Sequence, residues 1–265
     1  MAAAGTRRAP LSLAASAFAW FGYFFLLLPS LIVLPMSFGD KDEFEFPPKR
    51  LSFYLYEKYF NESTWMATTW TSFKIAICTM IVSLVLGVAA SYALARGSDF
   101  RGKRIATAAL MSPMFVPHIA VALALYLYFS YLRVSGTLLS LVLSHTALII
   151  PFVMVTAFAG LRHVDRNLEI AAAVMGAGRF TILRRVTLPL LMPTILSAAL
   201  FAFLLSFDEV VVSYFIAGVQ YQTLPVKMYS SIHWEISPVL AAVSSLLTLL
   251  SLAVCLVAAA WSRPQ

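Results

Sequence analysis

Apolar and polar positions divide this chain into long uninterrupted apolar runs joined by short polar connections. A helix needs about 20 apolar residues to cross roughly 30 Å of hydrocarbon at about 1.5 Å per residue. Runs of that length fall near 14–38, 65–94, 105–132, 137–159, 194–218 and 238–261. None shows the alternation of apolar and polar residues, in segments of about ten, that a membrane barrel requires. Backbone polar groups inside hydrocarbon must be satisfied internally, so the pattern predicts an all-α bundle of about six transmembrane helices. The expected organisation is one integral domain over residues 1–265, with a polar connection at about 161–193.

Composition excludes a soluble globule, because 61% hydrophobic and 12% charged residues leave too little polar surface to coat one. Lys and Arg gather in the N-terminal tail (Arg7, Arg8), the second connection (Arg96, Arg101, Lys103, Arg104), the fourth (Arg162, Arg166, Arg179, Arg184, Arg185) and the C-terminal tail (Arg263). The other side holds Lys41, Lys49, Arg50, Lys58, Arg133 and Lys227 among most of the acids. This asymmetry predicts cytoplasmic termini. The net charge of +7 is therefore a topology signal, and its scatter over juxtamembrane loops excludes nucleic acid as a partner. The first run is longer than the seven to roughly fifteen apolar residues of a signal peptide and reads as an uncleaved anchor. Cys78 and Cys255 lie within runs and are expected as small buried hydrophobes, with no disulfide framework.

The connections carry more chemistry than the runs. LSFYLYEKYF, from Leu51, suits a short interfacial helix that braces the outer face or an aromatic belt that anchors the loop. Gly97, Gly102 and Lys103 mimic P-loop spacing, but Arg104 replaces the magnesium-binding hydroxyl and no strand precedes them, so no ATP site is expected. Pro113 and Pro117 predict a kink in the third run. His118 and His145 are expected as satisfied polar contacts. No GxSxG, HExxH or metal-ligand spacing occurs, which leaves no catalytic residue, no metal site and no intramembrane enzyme to propose.

The fourth connection contains EIAAAVMGAGRFTILRRVTLP, Glu169 to Pro189. Its pattern predicts a helix over 166–174, a turn at Gly176 and Gly178, a second helix over 180–186 and a stop at Pro189. Leu168, Ala171, Ala172, Met175 and Phe180 among arginines would then form a compact knob suited to a partner's groove.

At Ala171, Ala172, Gly176, Val186, Leu188 and Pro189 the spacing resembles the EAA loop of binding-protein-dependent ABC importer permeases. The family's glutamate falls on Ile170, and Glu169 stands one residue earlier, a rotation of about 100° on a helix. Glu169 stays in the coupling loop that the resemblance implies, but the coupling is expected to rest on the apolar knob around Ala171, Ala172 and Gly176 before any ion pair. SFDEVVVSYFIAG from Ser206 and TLPVKMYSSIHWEISPVLAA from Thr223 are similar to the C-type permease of spermidine and putrescine importers. The resemblance implies a type I importer permease fold in the bacterial inner membrane, with the loop as coupling helix. It also implies a second related permease, a dimer of cytoplasmic ATP-binding subunits that hold ATP and Mg, and an extracytoplasmic binding protein. Membrane lipid would surround the assembly, and this chain itself would hold no cofactor.

Asp208 and Glu209 fall inside the fifth run, where an acid costs roughly 2.5–3.5 kcal/mol on insertion scales unless it faces a cavity or partner. Helical counting places Asp208 roughly 15 Å below the outer end and Lys74 at roughly 13 Å, which predicts an ion pair between Lys74 and one of the two acids. The second acid, with Phe207 and Tyr214, is then a candidate contact for a cationic substrate such as a polyamine. Other small solutes, such as amino-acid derivatives, opines or phosphonates, remain alternatives. So does an ion-coupled secondary transporter, which leaves the EAA-like loop unexplained.

Overall fold

The apolar runs fold as helices, and the computed structural model describes residues 10–97 and 99–261 without a strand among them. Arg7, Arg8 and Arg263 lie outside the described residues. Twelve α-helices follow in order: α1 (Pro10–Met36), α2 (Tyr54–Asn61), α3 (Ser63–Arg96), α4 (Lys103–Met111), α5 (His118–Tyr131), α6 (Leu138–His163), α7 (Arg166–Val174), α8 (Arg179–Ile182), α9 (Leu188–Phe207), α10 (Val211–Ile216), α11 (Leu224–Ser230) and α12 (Val239–Trp261).

Four helical stretches among the described residues are long and apolar enough to cross a membrane: Ala15–Met36, Ser63–Arg96, Leu138–His163 and Arg179–Phe207. The third predicted run is not one straight span. Lys103–Met114 and His118–Tyr131 meet at 104°, and counting them as one broken span gives five. Pro117 is extended there (φ −54°, ψ 131°) and caps α5, as expected of a residue that lacks an amide donor. The last predicted run, 238–261, folds as the helix α12.

The fifth run is also redrawn. Its helix begins earlier, at Arg179, passes through a π-turn at Leu183–Thr187, and ends at Phe207 rather than Gly218. Pro189 does not stop it. A proline at 189 lacks the amide an α-helix would direct to the carbonyl of Arg185, and the wider turn immediately before it takes up the change of register. Cys78 is exposed rather than buried.

The chain packs as two compact units, residues 1–66 with 231–265 and residues 67–230. In the first, Tyr56 on α2 places its hydroxyl 2.7 Å from Ser37 Oγ and 2.6 Å from Ser245 Oγ on α12. Leu55 and Tyr59 are buried against this unit, so of the two readings of the aromatic pattern α2 fits the bracing helix rather than a belt that only anchors the loop. Outside it, Lys58 donates to Asp42 at 2.7 Å, and Tyr54 donates to the same carboxylate at 3.1 Å. These bonds, Lys58's above all, hold the Asp42 carboxyl below its ordinary range and raise Lys58 above its own.

The second unit has a core built from Ile75, Leu141, Ile149, Val153, Ala198 and Val212, among others, shared by α3, α6, α9 and α10. Helices in lipid gain little hydrophobic drive from meeting one another, so close approach at small residues carries the packing. Gly160 on α6 shows this, because a Cβ there would sit 2.7 Å from both Cγ2 and Oγ1 of Thr194 on α9.

Candidate functional sites at the α7–α8 knob and the α9–α10 break

The knob begins at Asp165, whose carboxylate accepts the Asn167 amide at 2.9 Å and caps α7. Helix α7 ends where Gly176 takes a left-handed φ of +87°. The Gly176 amide donates to Ala173 O and the Ala177 amide to Ala172 O, both at 3.0 Å, the paired bonds of a Schellman turn. Nothing lies within 4 Å of where a Gly176 Cβ would stand, so backbone conformation alone asks for glycine there. The first helix and the turn thus form where the sequence predicts them, whereas the second helix is not a separate short one but the start of the stretch Arg179–Phe207.

The knob's two faces differ from expectation in one respect. Ala171 is exposed, but Ala172 is buried within the chain and is not presented to a partner. Helical geometry explains it, since Ala172 shares with Glu169, three residues earlier, the face of α7 that turns inward. The presented apolar residues are Val174, Met175 and Phe180, with Leu168 and Ile170 beside them. Val186 and Leu188 are partly buried, and Leu188 joins the core.

Glu169 anchors the knob from inside. Thr187, fully buried in the π-turn, donates its hydroxyl to Glu169 Oε1 at 2.8 Å. Arg96, the last residue of α3, places Nε 3.3 Å from Glu169 Oε2 as an ion pair off the hydrogen-bond line. Its Nη2 donates to Leu161 O and Val164 O, each at 2.9 Å. One guanidinium therefore joins the end of α3, the end of α6 and the start of the knob, while Thr187 ties in the helix that becomes α9. The fork of Arg suits this task, because its planar donors reach several acceptors at once. Sequence reading missed Arg96 as a site residue; it looked like one more positive charge in a topology count.

The second site is the break after α9. Asp208 is exposed at the C-cap of α9, and its amide still donates to Leu204 O at 3.0 Å. Glu209 turns back to accept the Val212 amide at 3.0 Å, which satisfies a donor in the first turn of α10. Depth counting along one continuous helix therefore fails here. Among the described residues no ion pair within 4.0 Å joins Lys74 to either acid; its ammonium instead lies over the Trp70 ring, 5.6 Å from the centroid. The predicted direct pair is thus not formed, since the backbone leaves helical geometry at the acids.

Aromatic rings connect these charges. Trp70 stacks on Phe73 at 5.7 Å, Phe73 meets Phe203 edge-on at 5.7 Å, and Phe203 stacks on Phe207 at 5.8 Å, next to Asp208. Tyr214 is exposed and packs edge-on against Tyr229 at 5.8 Å. Beneath the break His145 is buried, with Nδ1 2.9 Å from Ser206 Oγ on α9 and Nε2 2.9 Å from Ser213 Oγ on α10. It pins both sides of the interruption from α6, the satisfied polar contact that the sequence predicts. No group of His, Cys, Asp or Glu among the described residues could hold a metal ion.

Residues 83–263 match the family model described as binding-protein-dependent transport system inner membrane component. The chain is 34% identical over 238 residues to the spermidine/putrescine transport system permease protein PotC of Haemophilus influenzae, covering 90% of this chain and 92% of that one. It is 33% identical over 230 residues to PotC of Escherichia coli (strain K12), with 87% and 86% covered. The putrescine transport system permease protein PotI of the same strain is 29% identical, with 85% and 82% covered. In structure, the chain is similar to a bacterial ABC transporter involved in the import of the acidic polysaccharide alginate, with a TM-score of 0.76, 13% identity and full coverage of both chains. That likeness establishes the type I permease fold.

Proposed function

Because the chain belongs to the family of binding-protein-dependent transport system inner membrane components, and is the permease subunit of an ABC importer, we infer that its solute is a polyamine or related organic cation. The observation that carries this reading is the aromatic run Trp70, Phe73, Phe203 and Phe207, which ends at the exposed carboxylate of Asp208. An exposed acid and the exposed Lys74 are expensive against lipid, so each suits a cavity formed with a second, related permease. Aromatic faces and an isolated carboxylate attract ammonium groups without holding them tightly, which is what passage requires. Phe207, Asp208, Glu209 and Tyr214 are the proposed pathway residues, with Glu209 acting chiefly to shape the break.

The α7–α8 knob is the proposed cytoplasmic coupling element within the single permease domain, and both termini lie on the same side. ATP and Mg are held by a dimer of separate ATP-binding subunits, and an extracytoplasmic binding protein delivers the solute. Closure of the ATP-binding dimer moves the knob, and Arg96 passes that movement to α3 and α6. Uptake of radiolabelled spermidine into proteoliposomes tests the solute, with the cognate subunits present and putrescine, amino acids and alginate oligomers as competitors. Competition by putrescine alone is the expected result; equal competition by amino acids or alginate oligomers counts against the reading.

A further inference from the structure

The knob carries its acid inside and its bases outside. Glu169 is 8% exposed, and its two carboxylate oxygens engage Thr187 and Arg96. Arg162, Arg166, Arg179, Arg184 and Arg185 are all exposed around it. Asp165, the one exposed acid of the segment from 162 to 187, is turned to capping α7. Between the arginines stands an apolar tip, with Val174 83%, Met175 81% and Phe180 73% exposed. Arg96, Arg166 and Arg179 also line a cleft of about 500 Å³ with Tyr92, Phe100 and Glu169. A single internal acid against three guanidinium groups leaves that cleft positive.

We propose that the cytoplasmic ATP-binding subunit receives this knob in an apolar slot rimmed by Asp and Glu side chains that pair with Arg166 and Arg179. The intermolecular ion pairs then run from arginines of the permease to acids of the ATP-binding subunit, and Glu169 takes no part in them. A basic or neutral rim would leave the exposed guanidinium groups unpaired at a desolvated interface, whereas carboxylates match their planar fork with two parallel bonds. The apolar tip supplies the buried centre of the contact and the arginines its polar surround. The proposal rests on the coupling role assigned to the knob.

Binding of the cognate ATP-binding subunit to the detergent-solubilised permease pair tests it, with wild type and Arg166→Glu/Arg179→Glu compared at low and high salt. Charge reversal is expected to weaken association at least about tenfold, and wild-type affinity is expected to fall as salt screens the pairs. Thermal unfolding of the permease pair establishes that the variant is folded. Arg166→Lys/Arg179→Lys, treated with a carbodiimide, provides the second readout, because the introduced amines form amides only with neighbouring carboxylates. Cross-links to Asp or Glu of the ATP-binding subunit are the expected outcome. Unchanged affinity on charge reversal, with binding to phosphatidylglycerol nanodiscs lost instead, overturns the proposal in favour of lipid headgroups. Cross-links from Glu169 to a lysine of the ATP-binding subunit also overturn it. Failure of the wild-type pair to retain any ATP-binding subunit overturns the coupling role itself, a result distinct from either.

Discussion

Replacing Arg96 with methionine keeps much of the side chain's length and removes its charge and donors. Three contacts go with them: the ion pair to Glu169 and the two bonds to the carbonyls of Leu161 and Val164. The pair is largely buried, with side-chain exposures of 16% and 10%, so the carboxylate left behind has little access to water. Breaking such a pair from one side costs about 3–5 kcal/mol, and the partial exposure argues for the lower end. The loss falls on a local opening, because the polar partners of Arg96 lie at the end of α6 and the root of the knob. At about 1.4 kcal/mol per factor of ten, 3 kcal/mol raises the open population of the knob roughly 100-fold. Hydrogen exchange of amides 166–187 in nanodiscs measures this directly. The expected result is faster exchange across α7 and the π-turn by about that factor, unchanged exchange in α12, and loss of solute uptake. Exchange within about threefold of wild type, together with normal uptake, would refute the clamp. Arg96→Lys is expected to rescue only in part, since an ammonium cannot serve the two carbonyls and Glu169 with one planar fork.

His145→Leu leaves the buried hydroxyls of Ser206 and Ser213 without their partner and is expected to cost about 1–3 kcal/mol, read as a lower unfolding temperature in detergent and slower uptake. Gly160→Val forces Thr194 away from α6 and is expected to destabilise by about 1–3 kcal/mol, whereas the same change at Gly22, where nothing lies within 4 Å, is expected to leave stability unaltered. Asp208→Asn is expected to reduce spermidine uptake more than ATP hydrolysis; uptake with unchanged dependence on polyamine would count against direct contact. Asp42 is held below its ordinary range, so its bond to Lys58 contributes stability above that range and loses it as pH falls through the lowered folded-state value. Lys58 is raised, so its contribution is intact below the ordinary lysine range and fades as pH rises past the higher value. Asp42→Asn is expected to flatten the acid limb of a thermal-stability profile.

The membrane class and the knob were legible in the sequence because they depend on short-range rules. Run length fixes a span, and a glycine at 176 followed by closely spaced basic residues fixes a turn and a solvated face. The interruption at Asp208 was less legible. The residues flanking the acidic pair are mostly apolar, so hydropathy carries the run on to Gly218, and Glu209 accepting the Val212 amide marks the start of a new helix. Pro189 misled in the opposite direction, because a π-turn can absorb a proline that ordinarily ends a helix. Arg96 and Glu169 stand far apart in sequence, so their pairing could be seen only once α3 and α6 were packed side by side. That separation also hid the distinction between Ala171, which is presented, and Ala172, which is not.

The most direct test of the account is spermidine uptake by the reconstituted importer, comprising this chain, its partner permease, the binding protein and the ATP-binding subunits. Uptake is expected to require ATP on the cytoplasmic side of the vesicle and to disappear when the ATP-binding subunit is made unable to hydrolyse it. Uptake that persists with that subunit inactivated, driven by a proton gradient alone, would contradict that expectation.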